Sequence, residues 1–453
     1  MDKLLEVKNL RVNFVTRSGL VNALNGVDFE IYKGETLGLI GETGCGKSVT
    51  ALSIMNLIPE TEGIIVDGEI LFEGKDLAKM QRDACKIVKA GKRWQLKCSR
   101  SKIAKINKFM GQIRGSSLSM IFQEPTTILN PVMSIRKQME DALFEHHIDY
   151  LASRIIARRR ISKEQLETVA NRIMKGGAGK YLSEYVKDVP ELGPIKDQIS
   201  YILDRNDISE MRKRTLIIDL SENNKPISKR LVRMSKKNYT KAPRLIPLEI
   251  REEAKAVAIE LLTKVGIPSP EKILNSYPHE LSGGMKQRVA IAIAISSRPK
   301  LLIADEPTTA LDVTIQAQIL DIMKSLKASS NMSILFITHD LGVIASFADR
   351  IIVMYAGRVV ETSTTKELFK NPKHPYTRGM LMSIPSYGTG REKLKSIMGS
   401  VPNLINLPAG CTFHERCEVA MDVCKRKEPP IVAVSEGHTV ACWLYEQSQG
   451  GSK

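Results

Sequence analysis

A glycine-rich stretch near the start of the chain has the residue types needed to bind phosphate. Residues 41–48 spell Gly-Glu-Thr-Gly-Cys-Gly-Lys-Ser, with glycines at Gly41, Gly44 and Gly46. Such glycines let backbone N–H groups close around phosphate oxygens at the start of a helix. Lys47 is placed to neutralise β- and γ-phosphate oxygens, and Ser48 to ligate Mg²⁺. The spacing predicts a nucleotide site in preference to a turn without ligand, but many classes of NTPase share it.

Two acidic residues end an apolar run much later in the chain. Asp305 and Glu306 directly follow Leu301–Ala304, which has the composition of a buried strand. A carboxylate at the end of such a strand can reach the coordination shell of Mg²⁺, whereas the next side chain is directed elsewhere. A surface acidic pair is the alternative, although acids after four apolar residues are poorly tolerated in a core. Asp305 is therefore a predicted Mg²⁺ ligand.

The stretch Leu281–Met285, Leu-Ser-Gly-Gly-Met, narrows the class of NTPase. It resembles the signature of the ATP-binding cassette (ABC) family. In that family the signature of one cassette closes on the nucleotide held by the phosphate loop of another. The resemblance therefore implies that Ser282, Gly283 and Gly284 contact ATP bound by a partner subunit. Because the chain has one copy of each motif, it also implies an ATP-driven dimer.

Other catalytic assignments follow from the same resemblance. In the ABC family the aspartate of the acidic pair serves the metal, and the glutamate, here Glu306, polarises the attacking water as general base. Gln123 matches the glutamine that contacts Mg²⁺ and water. His339 matches the switch histidine that contacts the γ-phosphate. Considered alone, an exposed loop amide and a structural histidine are the alternatives for Gln123 and His339.

Two further positions complete the nucleotide site that the resemblance implies. Asp312, in Ala-Leu-Asp at 310–312, matches the loop that lies at the dimer interface of the family. Phe14 is the aromatic ring placed to stack on adenine. A phenylalanine of the hydrophobic core is the alternative for Phe14.

Longer motifs indicate a subgroup of the family. Tyr277–Glu280, residues 304–313 and His374–Gly379 are similar to the ATPase subunits of bacterial oligopeptide and dipeptide importers. The pairs Thr308-Thr309 and Gly284-Met285 resemble the D-type subunit more than the F-type. The resemblance covers most of residues 1–80, 112–145 and 248–445, and it omits two basic insertions.

The importer resemblance also implies partners and a location. The partners are a second ABC ATPase subunit of the F-type, two transmembrane permease subunits and an extracytoplasmic solute-binding protein. ATP-driven dimerisation and hydrolysis would then power import of peptides or a related solute at the cytoplasmic face of the cell membrane. An ABC ATPase that acts on nucleic acid through its basic insertions is the alternative. The single cassette, the lack of a long coiled coil and the importer-like tail favour the first hypothesis, so no nucleic-acid partner is expected.

Four of the seven cysteines lie after residue 410, at Cys411, Cys417, Cys424 and Cys442. In a reducing compartment such a cluster suggests a metal before disulfides. The spacing lacks the Cys-x-x-Cys knuckle typical of structural zinc. The four positions match the carboxy-terminal motif of the D-type subunits, and the resemblance implies a 4Fe-4S cluster with four thiolate ligands. Zn²⁺ and reduced, unliganded thiols remain open as alternatives.

The net charge of +17 is concentrated in two segments. Lys79 to Arg114 contains 12 Lys/Arg against one acid, and residues 151–250 contain 22 against 12. A solvated surface, contact with anionic lipid headgroups and contact with nucleic acid are the three interpretations. No apolar stretch is long enough to cross a bilayer, and the start lacks the apolar core of a secretory signal. Attachment to a membrane would therefore depend on other subunits.

Strands that alternate with helices predict an α/β fold with a mostly parallel sheet and ligand at its carboxyl edge. The expected architecture is an ABC-type P-loop ATPase core, a helical subdomain with a basic insertion, and a small Cys-containing C-terminal domain. The nucleotide-binding domain is assigned to 1–365, with insertions at about 81–112 and 147–247, and the oligopeptide-transporter-like domain to 366–453. Two local features are also predicted: a tight turn at Asp67-Gly68 and a strand over Thr215–Leu220.

Overall fold

The described strands form two larger sheets and one hairpin. The computed structural model describes residues 2–90, 93–124, 128–176, 189–205, 207–222, 225–236, 246–309, 312–383 and 397–449. Its strands, numbered in chain order, are β1 (Lys3–Thr16), β2 (Gly19–Tyr32), β3 (Thr36–Ile40), β4 (Gly63–Phe72), β5 (Lys75–Asp76), β6 (Cys85–Ala90), β7 (Arg93–Cys98), β8 (Leu118–Ile121), β9 (Leu301–Asp305), β10 (Ser333–Thr338), β11 (Arg350–Tyr355), β12 (Arg358–Thr364), β13 (Ile431–Ser435) and β14 (His438–Ala441).

The helices divide between two compact units. Residues 1–124 and 298–453 form the first unit, and residues 125–297 form the second. Helices of the first unit are α1 (Lys47–Ile54), α2 (Lys79–Ala84) and α3 (Arg100–Met110). Those of the second are α4 (Ile135–His146), α5 (Ile148–Arg160), α6 (Lys163–Gly176), α7 (Lys196–Leu203), α8 (Glu210–Ile218), α9 (Lys229–Met234), α10 (Leu248–Lys264), α11 (Pro270–Ile273) and α12 (Gly283–Ser296). The first unit continues with α13 (Val313–Ser330), α14 (Leu341–Phe347), α15 (Thr365–Lys370), α16 (Pro375–Met382) and α17 (Asp422–Arg426).

An eight-stranded sheet positions the predicted chemical residues. Its order is β13-β14-β12-β11-β3-β10-β9-β8, and the pairs among β11, β3, β10, β9 and β8 are parallel. Every residue of β3, β9 and β10 is buried, as expected for parallel strands covered on both faces. The predicted α/β class with a largely parallel sheet is confirmed.

The second sheet is antiparallel, in the order β2-β1-β4-β5. The predicted tight turn at Asp67-Gly68 is wrong, because β4 runs unbroken and pairs with β1 along its length. The register shifts where Arg11 faces Asp67. Gly68 has φ +90°, and a Cβ there would lie 2.4 Å from the Asn9 carbonyl oxygen. The glycine therefore accommodates an irregularity between two strands, which is a common use of glycine within a sheet.

The first basic segment folds as α2, a β6-β7 hairpin and α3. Cys85 faces Cys98 across the hairpin, and their sulfur atoms form a disulfide. Ile106 and Met110 of α3 are buried in the same hydrophobic cluster as Cys85. Exposed cations lie along both hairpin strands at Lys86, Lys89, Arg93 and Lys97. The apolar residues anchor this segment to the first unit, while the basic side chains of the hairpin face solvent.

Described residues of the second unit form two hydrophobic clusters. One is built from α4, α5, α9 and α10, with Leu143, Leu151 and Val257 among its members. The other joins described residues from α5 to the end of α8, with Leu166 and Ile199 among its members. The predicted strand over Thr215–Leu220 is wrong, because α8 extends through Ile218. Ser209 caps the N-terminus of α8, and Ile217 of this helix is buried in the second cluster.

A buried ion-pair cluster joins α5 to α10 in the second unit. The guanidinium of Arg154, which is fully buried, donates to both carboxylate oxygens of Glu260 at 2.9 and 2.6 Å. The Nε atom of Arg154 also lies 2.7 Å from the Glu253 carboxylate, which in turn accepts from Arg158. Because an unpaired buried charge is strongly destabilising, these residues fix the start of the predicted insertion to α10.

The carboxy-terminal segment extends the large sheet. Strand β14 pairs with β12 and with β13, so the sheet continues past residue 365. Phe413 joins the cluster that contains Tyr355, Tyr376 and Leu381. The C-terminal segment therefore shares a hydrophobic core with the residues that precede it.

Candidate nucleotide-binding site

The predicted phosphate loop lies between β3 and α1. Gly46 has φ +104° directly before the helix, and a Cβ there would lie 3.0 Å from the Ala23 carbonyl oxygen and 2.7 Å from Leu24 Cδ2. Glycine is thus required by both backbone conformation and space. The buried Lys47 ammonium donates to the carbonyl oxygens of Gly41 at 2.8 Å and of Glu42 at 3.2 Å. The loop holds its own cation at the start of a helix, where phosphate binds favourably.

Asp305 ends β9 beside this loop, and its carboxylate is buried. Burial raises its pKa, while hydrogen bonding by Ser48 acts in the opposite direction. Among the described residues, Oδ1 of Asp305 has no hydrogen-bond partner. A carboxylate oxygen next to a serine hydroxyl supplies the hard oxygen ligands that Mg²⁺ prefers. The donor set therefore fits a Mg²⁺ ion held by Asp305 and Ser48.

Glu306 is the centre of a polar cluster. Its carboxylate accepts from Gln123 Nε2 at 3.1 Å and from Thr309 Oγ1 at 3.0 Å, and it lies 3.2 Å from His339 Nδ1. Its backbone has φ +46°, and its N–H donates to the Ile337 carbonyl oxygen at 2.9 Å. A left-handed conformation is costly for a residue other than glycine and concentrates at functional sites. The strained backbone therefore supports Glu306 as a functional residue.

The loop and the Glu306 cluster face one cavity of about 720 Å³. Most of the predicted residues line it: Phe14, Gly41, Gly44, Gly46, Lys47, Ser48, Gln123, Glu306 and His339. Thr309, Met380 and Leu404 line it as well. Phe14 also packs against the hydrophobic core. Its ring therefore contacts both the cavity in which adenine could stack and the core that was the alternative. The cavity has the size and the polar groups expected of a nucleotide site.

Thr309, Met380 and Leu404 line the cavity, although their sequence context assigns none of them to the nucleotide site. Thr309 belongs to the Thr-Thr pair after the acidic residues, and its position three residues after Glu306 is the only sequence indication of their contact. Met380 and Leu404 come from the carboxy-terminal segment. Apolar residues so distant in sequence are brought together by the fold alone, and no local pattern indicates them.

Four predicted residues lie elsewhere. Ser282 caps α12 by accepting from the Met285 N–H at 3.3 Å, and Gly283 and Gly284 form the first turn of that helix in the second unit. Ser282 and Gly283 are exposed. Asp312 caps α13 by accepting from the Ile315 N–H at 2.9 Å. Ala310 and Leu311 of the same motif lie outside the described residues.

The four C-terminal cysteines come together in the fold. Cys411, Cys417, Cys424 and Cys442 line one small cavity with His374 and Phe413. Burial raises the pKa of Cys411 to about 11, and the three other thiols act in the same direction. Within the described residues, no group of three or more His, Cys, Asp or Glu side chains is arranged to hold a metal ion. A set of four thiols fits iron-sulfur or zinc by donor type, but the ligand geometry is not preformed.

Comparisons with known proteins identify the family. Residues 24–309 match the family described as ABC transporter, and residues 360–424 match the oligopeptide/dipeptide transporter C-terminal region. The chain belongs to the ABC transporter family. Among the described residues, none of the helices is both long and apolar enough to cross a membrane.

Three curated relatives in Bacillus subtilis (strain 168) match nearly the whole chain. The oligopeptide transport ATP-binding protein OppD is 40% identical over 443 residues, which cover 98% of this chain and 89% of OppD. The oligopeptide transport ATP-binding protein AppD is 40% identical over 448 residues, covering 99% and 98%. The dipeptide transport ATP-binding protein DppD is 36% identical over 447 residues, covering 99% and 96%.

Proposed function

We propose that this chain is the ATPase subunit of an ABC importer for peptides or a related solute. The names of the relatives and the matched C-terminal region support the substrate class. The observation on which the ATPase assignment rests is the Glu306 carboxylate, held by Gln123 and by His339 at the edge of the phosphate-loop cavity. Peptide import is an energy-requiring process, and ATP can drive it only if its binding differs between transporter conformations.

The residues divide the chemistry of hydrolysis as follows. Lys47 neutralises phosphate oxygens, and Ser48 and Asp305 hold Mg²⁺, which supplies positive charge beside the phosphates. Glu306 accepts a proton from the attacking water as general base. Gln123 and His339 orient the Glu306 carboxylate and contact water and the γ-phosphate. Phe14 stacks on adenine.

The signature residues complete the site of another subunit. The signature lies at the start of α12, where Ser282 and Gly283 are exposed and Gly284 is half-buried. Their N–H groups can therefore donate to phosphate oxygens of ATP held by a partner cassette. Asp312 lies at the interface of the two cassettes. The partner cassette is an F-type subunit, and the pair works with two permease subunits and a solute-binding protein at the cytoplasmic face of the membrane. Co-purification from the native membrane, followed by identification of the subunits, tests this composition.

Glu306→Gln tests the catalytic assignment. The change keeps the shape of the side chain and removes the base, so ATP affinity should remain and hydrolysis by the assembled transporter should fall by roughly 10²- to 10⁴-fold. Glu69→Gln, at an exposed position of β4, is the matched control and should hydrolyse ATP at the wild-type rate. Hydrolysis by Glu306→Gln at the wild-type rate would exclude Glu306 as the base.

We also propose that the four cysteines hold one 4Fe-4S cluster. The convergence of four thiols on one cavity supports a thiolate-only site. Bound, the cluster would order the C-terminal segment, since ligation of thiolates couples metal binding to folding. Protein purified without oxygen should be brown and contain iron and acid-labile sulfide, and Cys417→Ser should lose both. Stoichiometric zinc without sulfide would replace the cluster by a zinc site, and four thiols alkylated in native, metal-free protein would reject a metal centre.

A further inference from the structure

An arginine of the C-terminal segment contacts the phosphate loop directly. Arg416 Nη1 donates to Glu42 Oε2 at 2.9 Å, and Nη2 donates to Glu42 Oε1 at 3.1 Å. This bidentate ion pair joins residues that are 374 positions apart in the chain. Such planar pairs are strong and fix the orientation of both groups. Glu42 is the second residue of the phosphate loop, so the pair reaches the nucleotide site itself.

Arg416 is held firmly on its own side. Its side chain is 7% exposed, and its guanidinium also donates to the Tyr355 hydroxyl at 3.2 Å and to the Met398 carbonyl oxygen at 2.9 Å. It lies over the rings of Tyr355 and Phe413. A guanidinium placed by this many contacts loses little freedom when it pairs with a carboxylate. The C-terminal segment thus presents a preorganised cation to Glu42.

The backbone of Glu42 is fixed as well. Its N–H donates to the Tyr376 hydroxyl at 2.9 Å, and its carbonyl oxygen accepts from Lys47 Nζ at 3.2 Å and from the Cys45 N–H at 3.2 Å. Side chain and N–H are therefore held by the C-terminal segment, while the carbonyl contacts the phosphate-binding lysine. A shift of the Glu42 backbone would therefore move the carbonyl oxygen that accepts from Lys47, and with it the lysine ammonium.

We propose that Arg416 is a positioning residue for ATP: through Glu42 it holds the phosphate loop in the conformation that binds nucleotide. The inference rests on the proposed function of this cavity. It makes nucleotide affinity depend on the C-terminal segment, which also contributes Met380 and Leu404 to the cavity wall. Positioning of this kind lowers the conformational cost of binding and acts on affinity more than on the chemical step.

A double-mutant cycle on the full-length chain tests the proposal. ATP affinity is measured by titration with a fluorescent ATP analogue and Mg²⁺ for wild type, Arg416→Gln, Glu42→Gln and the double variant. Each single change should weaken binding roughly tenfold, and the double variant should be no weaker than either, because all three lose the same contact. In the assembled transporter, KM for ATP should rise while kcat stays near wild type. Arg416→Lys should recover part of the affinity.

Arg378→Gln is the matched control, because Arg378 also lies in the C-terminal segment but donates to the Pro372 carbonyl oxygen and the Tyr445 hydroxyl. It should bind the analogue as wild type does. Wild-type affinity in Arg416→Gln, or losses that add in the double variant, would overturn the proposal. Glu42→Gln alone keeps the test decisive if Arg416→Gln does not fold. A wild-type chain that fails to bind the analogue would instead refute the nucleotide site.

Discussion

Gly46 shows how one residue can be required by geometry. Its φ of +104° is open to glycine and strained for other residues, and an added Cβ would lie only 3.0 Å from the Ala23 carbonyl oxygen. The residue also stands immediately before Lys47, so any shift of its backbone moves the start of α1 and the phosphate-binding ammonium together.

Gly46→Ala should therefore weaken ATP binding by roughly 5- to 150-fold, since strain of about 1–3 kcal/mol must be relieved by moving the loop. Equilibrium titration with nucleotide measures the effect. Gly74→Ala is the matched control: Gly74 has φ +78° but no atom within 4 Å of the added Cβ, and it does not line the cavity. Equal ATP affinities for the two variants would show that backbone strain at Gly46 is unimportant.

At the residue scale the motifs predicted which side chains share the cavity but not how they pair. Gln123, Glu306 and His339 follow three neighbouring strands of one parallel sheet, whose carboxyl ends meet at one edge, so their convergence was predictable. The contact between Arg416 and Glu42 was not, because neither periodicity nor spacing relates residues so distant in the chain. Pairing of this kind depends on packing of the whole C-terminal segment.

At the element scale, a buried carboxylate joins β12 to two C-terminal elements. Glu361 is buried, and it accepts from the N–H groups of Lys373 at 2.7 Å and His374 at 2.8 Å, just before α16. Its Oε1 also lies 2.8 Å from Nε2 of His438 on β14. Burial alone would raise the pKa of Glu361, but hydrogen bonds from His438, Thr377 and the two N–H groups hold it below its usual value.

Glu361→Gln should lower the free energy of unfolding at neutral pH by about 2–3 kcal/mol, because buried donors lose a charged acceptor. A carboxyl whose pKa is lower in the folded than in the unfolded chain contributes its full stabilisation at pH values above the unfolded pKa, near 4.5. This contribution to the free energy of unfolding is lost as the pH falls through the pKa of the folded chain. The difference between wild type and variant, measured by urea unfolding, should thus shrink below about pH 4.5. The exposed Glu436→Gln serves as control, and a pH-independent difference would contradict the assigned charge.

Predictions of elements succeeded where the sequence pattern favoured one structure and failed where it suited two. The buried strands β9 and β10 and the helices α4 and α10 were predictable from continuous apolar runs or clear helical periodicity. The six residues Thr215–Leu220 were not, because a short apolar run suits a strand or a helix equally. Packing of α8 against α6 decided in favour of the helix.

At the scale of the whole molecule, the two predicted basic insertions carry most of the excess positive charge of the chain. The predicted boundaries at 147 and 247 stay a prediction, but the buried Arg154 pairs argue that α5 cannot be removed with the rest. A smaller segment, residues 162–220, can be separated from the rest of the second unit without removing α5. Ser221 donates its hydroxyl to the Ile161 carbonyl oxygen at 2.7 Å, so the chain leaves and returns at adjacent points.

Replacing residues 162–220 with a short Gly-Ser linker should leave a folded chain with ATP affinity within about twofold of wild type, since the buried cluster of Arg154 remains intact. Deleting 151–245 should instead destabilise the second unit by about 3–5 kcal/mol, because Glu253 and Glu260 lose their buried partner. Thermal unfolding and nucleotide titration compare the two deletion variants.

Loss of ATP binding in a folded variant that lacks residues 162–220 would place that segment within the nucleotide-binding unit. Salt-sensitive nucleic-acid binding lost with it would support the alternative function.

The pairing of β14 with β12 has a consequence for solubility. Without the C-terminal hairpin, β12 would be the border of the large sheet and would present unpaired backbone N–H and C=O groups to other chains. With it, the border is β13, a short strand preceded by Pro429 and Pro430, which cannot donate to a further strand. Strands β13 and β14 thus protect the sheet from edge-to-edge aggregation. Truncated forms that end near residue 365 would leave β12 as an unpaired edge strand that can pair with other chains.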